Sequence, residues 1–320
     1  MAQAETSRLQ NFPVSWFATV MGLAGLTIAL HRAEAALGLP STVSLTVLVL
    51  TIAVFVSLAL LYALKAARYP QQVKAELNHP IKLNFAPTIS IGLILLSIAL
   101  LPHHQGASLI IWGLGTVLHL GFTLYVLSAW IHHTHFEINH MNPAWFIPIV
   151  GNILVPIAAV QHGFTELSWF FFSIGLVFWL VLLTIIFNRM FFHHPLPGKL
   201  LPTLFILIAP PGVGFISWLQ LTGELDSFAR VLYYSALFLT LMLFTQVSRF
   251  LKLQFFLSWW AYSFPMAAIT IATLTMYQRL EIPFFKWLGV GLLVVLVVLI
   301  AGLVLRTAIA VRRREICIEE

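Results

Sequence analysis

Long apolar runs separated by short polar links dominate this chain. Ten can be delimited, at 12–31, 41–64, 83–102, 106–131, 143–161, 165–188, 200–221, 230–248, 254–277 and 284–305. Each holds roughly the 17 to 25 residues that a helix needs to cross a hydrocarbon core of about 30 Å. The pattern predicts an all-α integral membrane protein of ten transmembrane helices. A proline recurs in every second run, at Pro13, Pro87, Pro148, Pro210 and Pro265, whereas the alternate runs, led by 41–64, contain none. Five similar helical hairpins are the simplest reading. Proline removes a backbone donor and crowds the preceding turn, so within lipid it belongs where neighbouring helices or a water-filled cavity satisfy the freed groups. The proline helices are therefore expected to face inward, around a shared axis.

Composition agrees: 60% of the 320 residues are hydrophobic and 9% charged, far from the usage of soluble domains. The short links predict a single transmembrane domain over residues 1–320. In the ten-span arrangement thirteen Lys and Arg residues fall on the side of both termini, against Arg32, Arg230, Arg279 and Lys286 on the other. The positive-inside rule then places both termini in the cytoplasm. The net charge of +6 is accounted for by membrane anchoring, and no nucleic-acid partner is needed. The first run lacks a small-residue cleavage site and is expected to be retained as a helix. The lone Cys317 lies in the tail and has no internal disulfide partner.

None of the eleven carboxylates falls in the middle of an expected span. Ion-coupled transporters usually carry intramembrane Asp or Glu, so coupling through a buried carboxylate is not expected. Lys and Arg are missing from the span centres as well, which leaves any pore lined by apolar and weakly polar groups. The proline runs carry small and hydroxyl residues: Ser15, Thr19, Gly22 and Gly25; Thr88, Ser90 and Gly92; Gly151 and Asn152; Pro210-Pro211-Gly212; Ser263, Thr270 and Thr273. Such donors can replace part of an anion's hydration shell without holding it as tightly as a fixed Arg. Any one of them equally suits helix packing; the five-fold set points to a pore.

In the ninth run, Trp259-Trp260-Ala261-Tyr262-Ser263-Phe264-Pro265 puts Phe264 before a proline, where the helical region is disfavoured. The helix is expected to bend there, and a ring at a bend can enter and dewet a narrow pore; among 26 Phe residues, packing is the competing explanation. His132, His133, His135 and His140 share one link, with His193, His194 and His79 on the same face. Imidazole is a common metal ligand, so a membrane metalloenzyme using His132, His133 and His135 is one alternative. No His-x-x-His-His box occurs, and interfacial histidines in polar loops explain the cluster better. His119, isolated within the fourth run, reads as a buried hydrogen-bonding residue. No phosphate loop, paired Cys or nucleophile with a neighbouring acid and base is present, and neither a metal site nor a cofactor is expected.

Several stretches, in this order and spacing, resemble one family: Phe12-Pro13 through Gly22, Asn78-His79-Pro80 with Phe85, Phe146-Ile147-Pro148 leading to Asn152, Ile208-Ala209-Pro210, and Trp260-Ala261-Tyr262-Ser263-Phe264. The chain is similar along its whole length to the tellurite-resistance/dicarboxylate-transporter family, which includes the plant slow-type guard-cell anion channels and their bacterial homologues. The resemblance implies five inner helices around a pore in each protomer, five outer helices, a homotrimer, and a bacterial inner-membrane location. It implies a phenylalanine of the ninth helix, here Phe264, closing the pore at mid-membrane. Small monovalent anions such as chloride and nitrate would permeate, selected by dehydration cost. Pore-lining or kink candidates are then Pro13, Thr19, Gly22, Pro87, Thr88, Pro148, Asn152, Pro210, Pro211, Ser263 and Pro265. The chain departs from bacterial relatives at Phe17-Ala18 and Val20, where a Phe-Gly pair followed by Pro is frequent. Short termini set it apart from the plant members, so kinase control is not expected. A carrier for C4-dicarboxylates or tellurite-related oxyanions is the other function the family allows.

Overall fold

A computed structural model describes residues 8–132 and 136–318, and their regular structure is helical throughout. The α-helices are α1 Phe17–Leu37, α2 Thr42–Arg68, α3 Pro70–Asn78, α4 Thr88–Leu100, α5 Gln105–His132, α6 Ile147–Ala159, α7 Thr165–Phe192, α8 Ala209–Thr222, α9 Ser227–Phe244, α10 Val247–Leu251, α11 Ser263–Leu280 and α12 Pro283–Arg312. Among the described residues, eight helical segments are long and apolar enough to cross a membrane: Val14–Leu37, Thr42–Arg68, Lys82–Leu100, Gln105–His132, Thr165–Phe192, Leu201–Thr222, Ser227–Phe244 and Pro283–Arg312. That is two fewer than the ten apolar runs. The run at 143–161 becomes the shorter Pro143–Ala159, a four-residue 3₁₀ turn and a 13-residue α-helix, and the run at 254–277 becomes a 3₁₀ turn followed by α11, whose last turn carries Tyr277, Gln278 and Arg279. Every residue of α6 is buried, as is α11 from Ser263 to Met276. Segments wrapped by protein need not be as apolar as those that meet lipid.

Five segments share one local plan. A 3₁₀ turn leads into an α-helix: Val14–Trp16 into α1, Lys82–Phe85 into α4, Pro143–Phe146 into α6, Leu201–Ile208 into α8 and Leu257–Tyr262 into α11. Pro87 is the N-cap of α4, Pro148 and Pro210 occupy the first two positions of α6 and α8, and Pro265 is the third residue of α11. The first N–H groups of a helix have no intrahelical partner, so proline removes nothing there. Hydroxyls bridge the change of pitch in three of the five segments by donating to the carbonyl three residues back, Thr19 to Trp16, Thr88 to Phe85 and Ser263 to Trp260, and Thr203 donates likewise to Leu200 where the 3₁₀ segment before α8 begins. The bend expected at Phe264 is instead a change of winding one step earlier. Tyr262 and Ser263 both have helical angles, and α11 runs unbroken through Phe264 and Pro265.

Packing closes these five helices into a ring: α1 lies on α4, α4 on α6, α6 on α8, α8 on α11, and α11 back on α1. Each also packs on the long helix that follows it, α2, α5, α7, α9 and α12 in turn. The followers turn apolar side chains outward, among them Leu60, Val117, Val177, Phe238 and Val298, as a lipid-facing surface requires. Helices α1 and α11 approach closely because Gly22 lies under Ser263 and Trp260, and Gly25 under Ala267.

The N-terminal end of the ring is tied by a buried ion pair. Lys65 Nζ lies 2.8 Å from Glu76 Oε2 and donates to the Phe12 carbonyl at 2.8 Å, while Glu76 also accepts from Val14 N–H and the Tyr62 hydroxyl. Glu76 thus caps the turn that opens α1, and Lys65 neutralises it. Nearby, Trp16 Nε1–H donates to Cys317 Sγ at 3.4 Å, and burial pushes this thiol up from its ordinary range.

Candidate functional site

The N-terminal halves of the ring helices surround a cavity of about 30 Å³, enough for about two waters. All five contribute side chains to its wall at a spacing of three: Ser15, Ala18 and Met21; Phe85 and Thr88; Ile147 and Val150; Ile206 and Ala209; Ala261 and Phe264. Where a pair spans a 3₁₀ turn, side chains at i and i+3 eclipse one another, and Ala18–Met21 and Ile147–Val150, within α1 and α6, are the i and i+3 neighbours of an α-helix face. A single row from each segment therefore stays on the axis while the others pack outward. Leu257, Ser258, Trp260 and Pro265 complete the wall, which carries no ionisable side chain.

Phe264 is only 5% exposed and stands on this wall. Its ring lies beside α1 where Gly25 leaves room: a Cβ at that position would stand 3.5 Å from Phe264 Cδ2. The residue is held at the helix start by its neighbours, since Ser263 Oγ donates to the Trp260 carbonyl and Tyr262 packs edge-on to Phe205 and Phe250.

Of the other candidates from sequence, Thr88 and Pro265 line the cavity. Pro87, Pro148, Pro210 and Pro211 lie at the start of their helices, and Pro13 precedes the first 3₁₀ turn. Thr19, Gly22 and Ser263 sit between α1 and α11 or against their own turns. Asn152 is turned away from the axis, towards α5. Its Nδ2 donates to the Pro148 carbonyl at 2.8 Å and to Thr123 Oγ1 at 3.0 Å. His119 completes this buried group, 2.9 Å from Ser90 Oγ and 3.1 Å from the Pro148 carbonyl, with its ring against Gly151. The donors of these hydroxyls and of the Asn152 amide are engaged with protein, and even Thr88 gives its proton to Phe85. The wall therefore offers an ion little that binds it tightly.

Sequence reasoning missed Ile147, Val150, Ile206 and Ala209, whose aliphatic side chains look like packing residues. One signal was present: Ile147, Ala209 and Phe264, all on the wall, each directly precede a proline, whereas Phe12 and Ala86 before Pro13 and Pro87 are not on it. Ala18, noted as a departure from bacterial relatives, puts its methyl group on the wall, whereas Val20 packs against Gly92 of α4. Among the described residues no three His, Cys, Asp or Glu side chains gather as a metal would require. His132 contacts its own helix at the Ser128 carbonyl, and His133 and His135 lie outside the described residues.

Comparison with known proteins finds relatives over most of the chain. Residues 11–308 match the family described as voltage-dependent anion channel, SLAC1. An uncharacterized transporter of Methanocaldococcus jannaschii is 28% identical over 310 residues, covering 89% of this chain and 91% of the relative. The guard cell S-type anion channel SLAC1 of Arabidopsis thaliana is 28% identical over 276 residues, covering 83% of this chain. This chain spans only 50% of that plant protein's length. A tellurite resistance protein TehA homolog of Haemophilus influenzae is 28% identical over 277 residues, covering 83% and 81%. The match over nearly the whole described chain, with helices apolar enough to span a membrane, makes this a membrane protein of the SLAC1 voltage-dependent anion channel family.

Proposed function

We propose that the chain is an anion channel whose pore runs along the axis of the five-helix ring and is closed by Phe264. One observation carries the reading: all five ring helices turn a row of uncharged side chains onto one narrow cavity, and Phe264 stands on its wall. An apolar constriction resists ion passage by dewetting, so the described state is closed. A wall without fixed charge favours anions that shed water at low cost, and chloride and nitrate are the proposed permeants. The names of the relatives, S-type anion channel and transporter, support the class and give no ground for an enzymatic reading.

The same proposal treats residues 1–320 as one transmembrane domain of ten passages in five hairpins. The contact of each ring helix with its follower supports it, with α6 and α11 as the two protein-wrapped passages. Both termini are cytoplasmic, the membrane is the bacterial inner membrane, and three copies assemble with one pore each. The test is anion current over a voltage range for the unaltered protein and Phe264→Ala in the same bilayer. Loss of the ring should raise chloride and nitrate current at least tenfold, Phe264→Leu should raise it less, and a large organic anion should stay excluded. Unchanged current from well-folded Phe264→Ala would refute the gate. Saturable, substrate-specific uptake without current would establish instead the carrier of dicarboxylates or tellurite-related oxyanions.

A further inference from the structure

The wall rows can be followed beyond the cavity. Eleven residues of α-helix make three turns plus about 20°, a rise of roughly 16 Å, so each wall residue has a counterpart on the same face near the other end. Met21 leads to Arg32 and Ala209 to Gln220, while Gln161, eleven residues after Val150, lies in the turn just past the end of α6. Phe264 leads to Thr275, and Gln278 follows within one turn. Two hydrogen bonds join neighbours around the ring at this end. Arg32 Nη1 donates to Gln278 Oε1 at 3.4 Å, joining α1 to α11, and Gln161 Nε2 donates to Gln220 Oε1 at 2.9 Å, joining the turn after α6 to α8.

This end carries Arg32, Arg230, Arg279 and Lys286 against Glu34, Glu166, Glu224, Asp226 and Glu281. Among the described residues neither Arg32 nor its like-charged neighbour Arg279 forms an ion pair; Arg279 donates to the Gly223 carbonyl at 3.0 Å. Glu34, two positions beyond Arg32, is turned to the start of α2, where it accepts from Val43 and Ser44 N–H. The ring helices all begin at the cavity, so all end here, and each C-terminus brings roughly half a negative charge. Without the arginines this mouth would repel the ions that the channel is proposed to conduct.

We propose that Arg32, with the side-chain amides of Gln161, Gln220 and Gln278, forms a second site for a small monovalent anion at the C-terminal mouth of the ring. It gathers anions ahead of Phe264, and the neighbouring amides solvate them without adding charge. The conduction role rests on the channel reading above; the binding role does not. Gln278 now shares the Arg32 guanidinium, and an entering anion takes its place.

The test compares Arg32→Gln and Arg32→Lys in the conducting Phe264→Ala background and measures anion binding to the purified proteins. Fixed charge acts at low salt and is screened at high salt, so Arg32→Gln should cut conductance at least about threefold near 20 mM chloride and little near 1 M. Arg32→Lys should keep most of it. In solution, chloride-35 line broadening that nitrate reverses should fall at least about twofold on Arg32→Gln. A conductance loss equal at both salt concentrations, or broadening unaltered by the substitution, would overturn the site. Arg32-dependent broadening in a protein that passes no current with Phe264→Ala would keep the site and refute the channel.

Discussion

At the scale of single residues, Gly151 and His119 show how tightly side chains between ring and outer layer are fitted. His119 packs on the bare Cα of Gly151, and a Cβ there would overlap the imidazole. Gly151→Ala therefore displaces His119 from Ser90 Oγ and the Pro148 carbonyl. Each buried polar group left without a partner costs about 1–3 kcal/mol. The expected result is a loss of at least about 2 kcal/mol, read as a lowered melting temperature in detergent, and a melting temperature equal to that of the unaltered protein would contradict the packing. His119 could be read from the sequence as a buried hydrogen-bonding residue because an imidazole alone in an apolar run needs partners. Asn152 was harder to place: an amide in a proline-bearing run suits a pore wall as well as an interhelical bond, and only the position of α5 decides between them.

At the scale of elements, the 3₁₀ turn that winds into an α-helix is the repeated unit. Its proline was plain in the sequence, but the turn was not, since 3₁₀ and α windings share the same φ/ψ region and the same apolar side chains. For that reason the wall pair Ile206–Ala209 passed for core, as did Ile147–Val150 at the start of α6 with its aliphatic side chains, while the apolar runs themselves were unmistakable because lipid demands unbroken length. Two runs also came out shorter or more polar than a lone span, α6 and α11 being sheltered by their neighbours. The first unit adds an electrostatic anchor, in which Glu76 caps Val14 N–H and balances Lys65, itself 2% exposed. Glu76→Gln keeps the cap's acceptor but strands the lysine charge, and breaking a buried pair from one side costs about 3–5 kcal/mol. The double substitution Lys65→Met/Glu76→Leu should cost much less. Thermal unfolding of both in one detergent checks the difference; equal losses would show that the charge pair is not the source.

At the scale of the whole molecule, the division between a buried ring and apolar outer helices suits an assembly in which each copy keeps its own axis. Linked trimers with none, one, two or three copies of Phe264→Ala should conduct in equal steps. A jump only at three would mean that the copies open together, and a single-copy mass by native mass spectrometry would remove the trimer. The ring has an order in time as well as in space. Contacts α1–α4, α4–α6, α6–α8 and α8–α11 join stretches that leave the ribosome one after another, but the last contact joins the final ring helix to the first. Until α11 has been made the ring lacks the contact that closes it, and the closing edge is the glycine face of α1, where Gly22 and Gly25 meet Ser263 and Ala267. A chain shortened before α11 leaves that seam unmade, so the ring closes only when its first and last helices are both present.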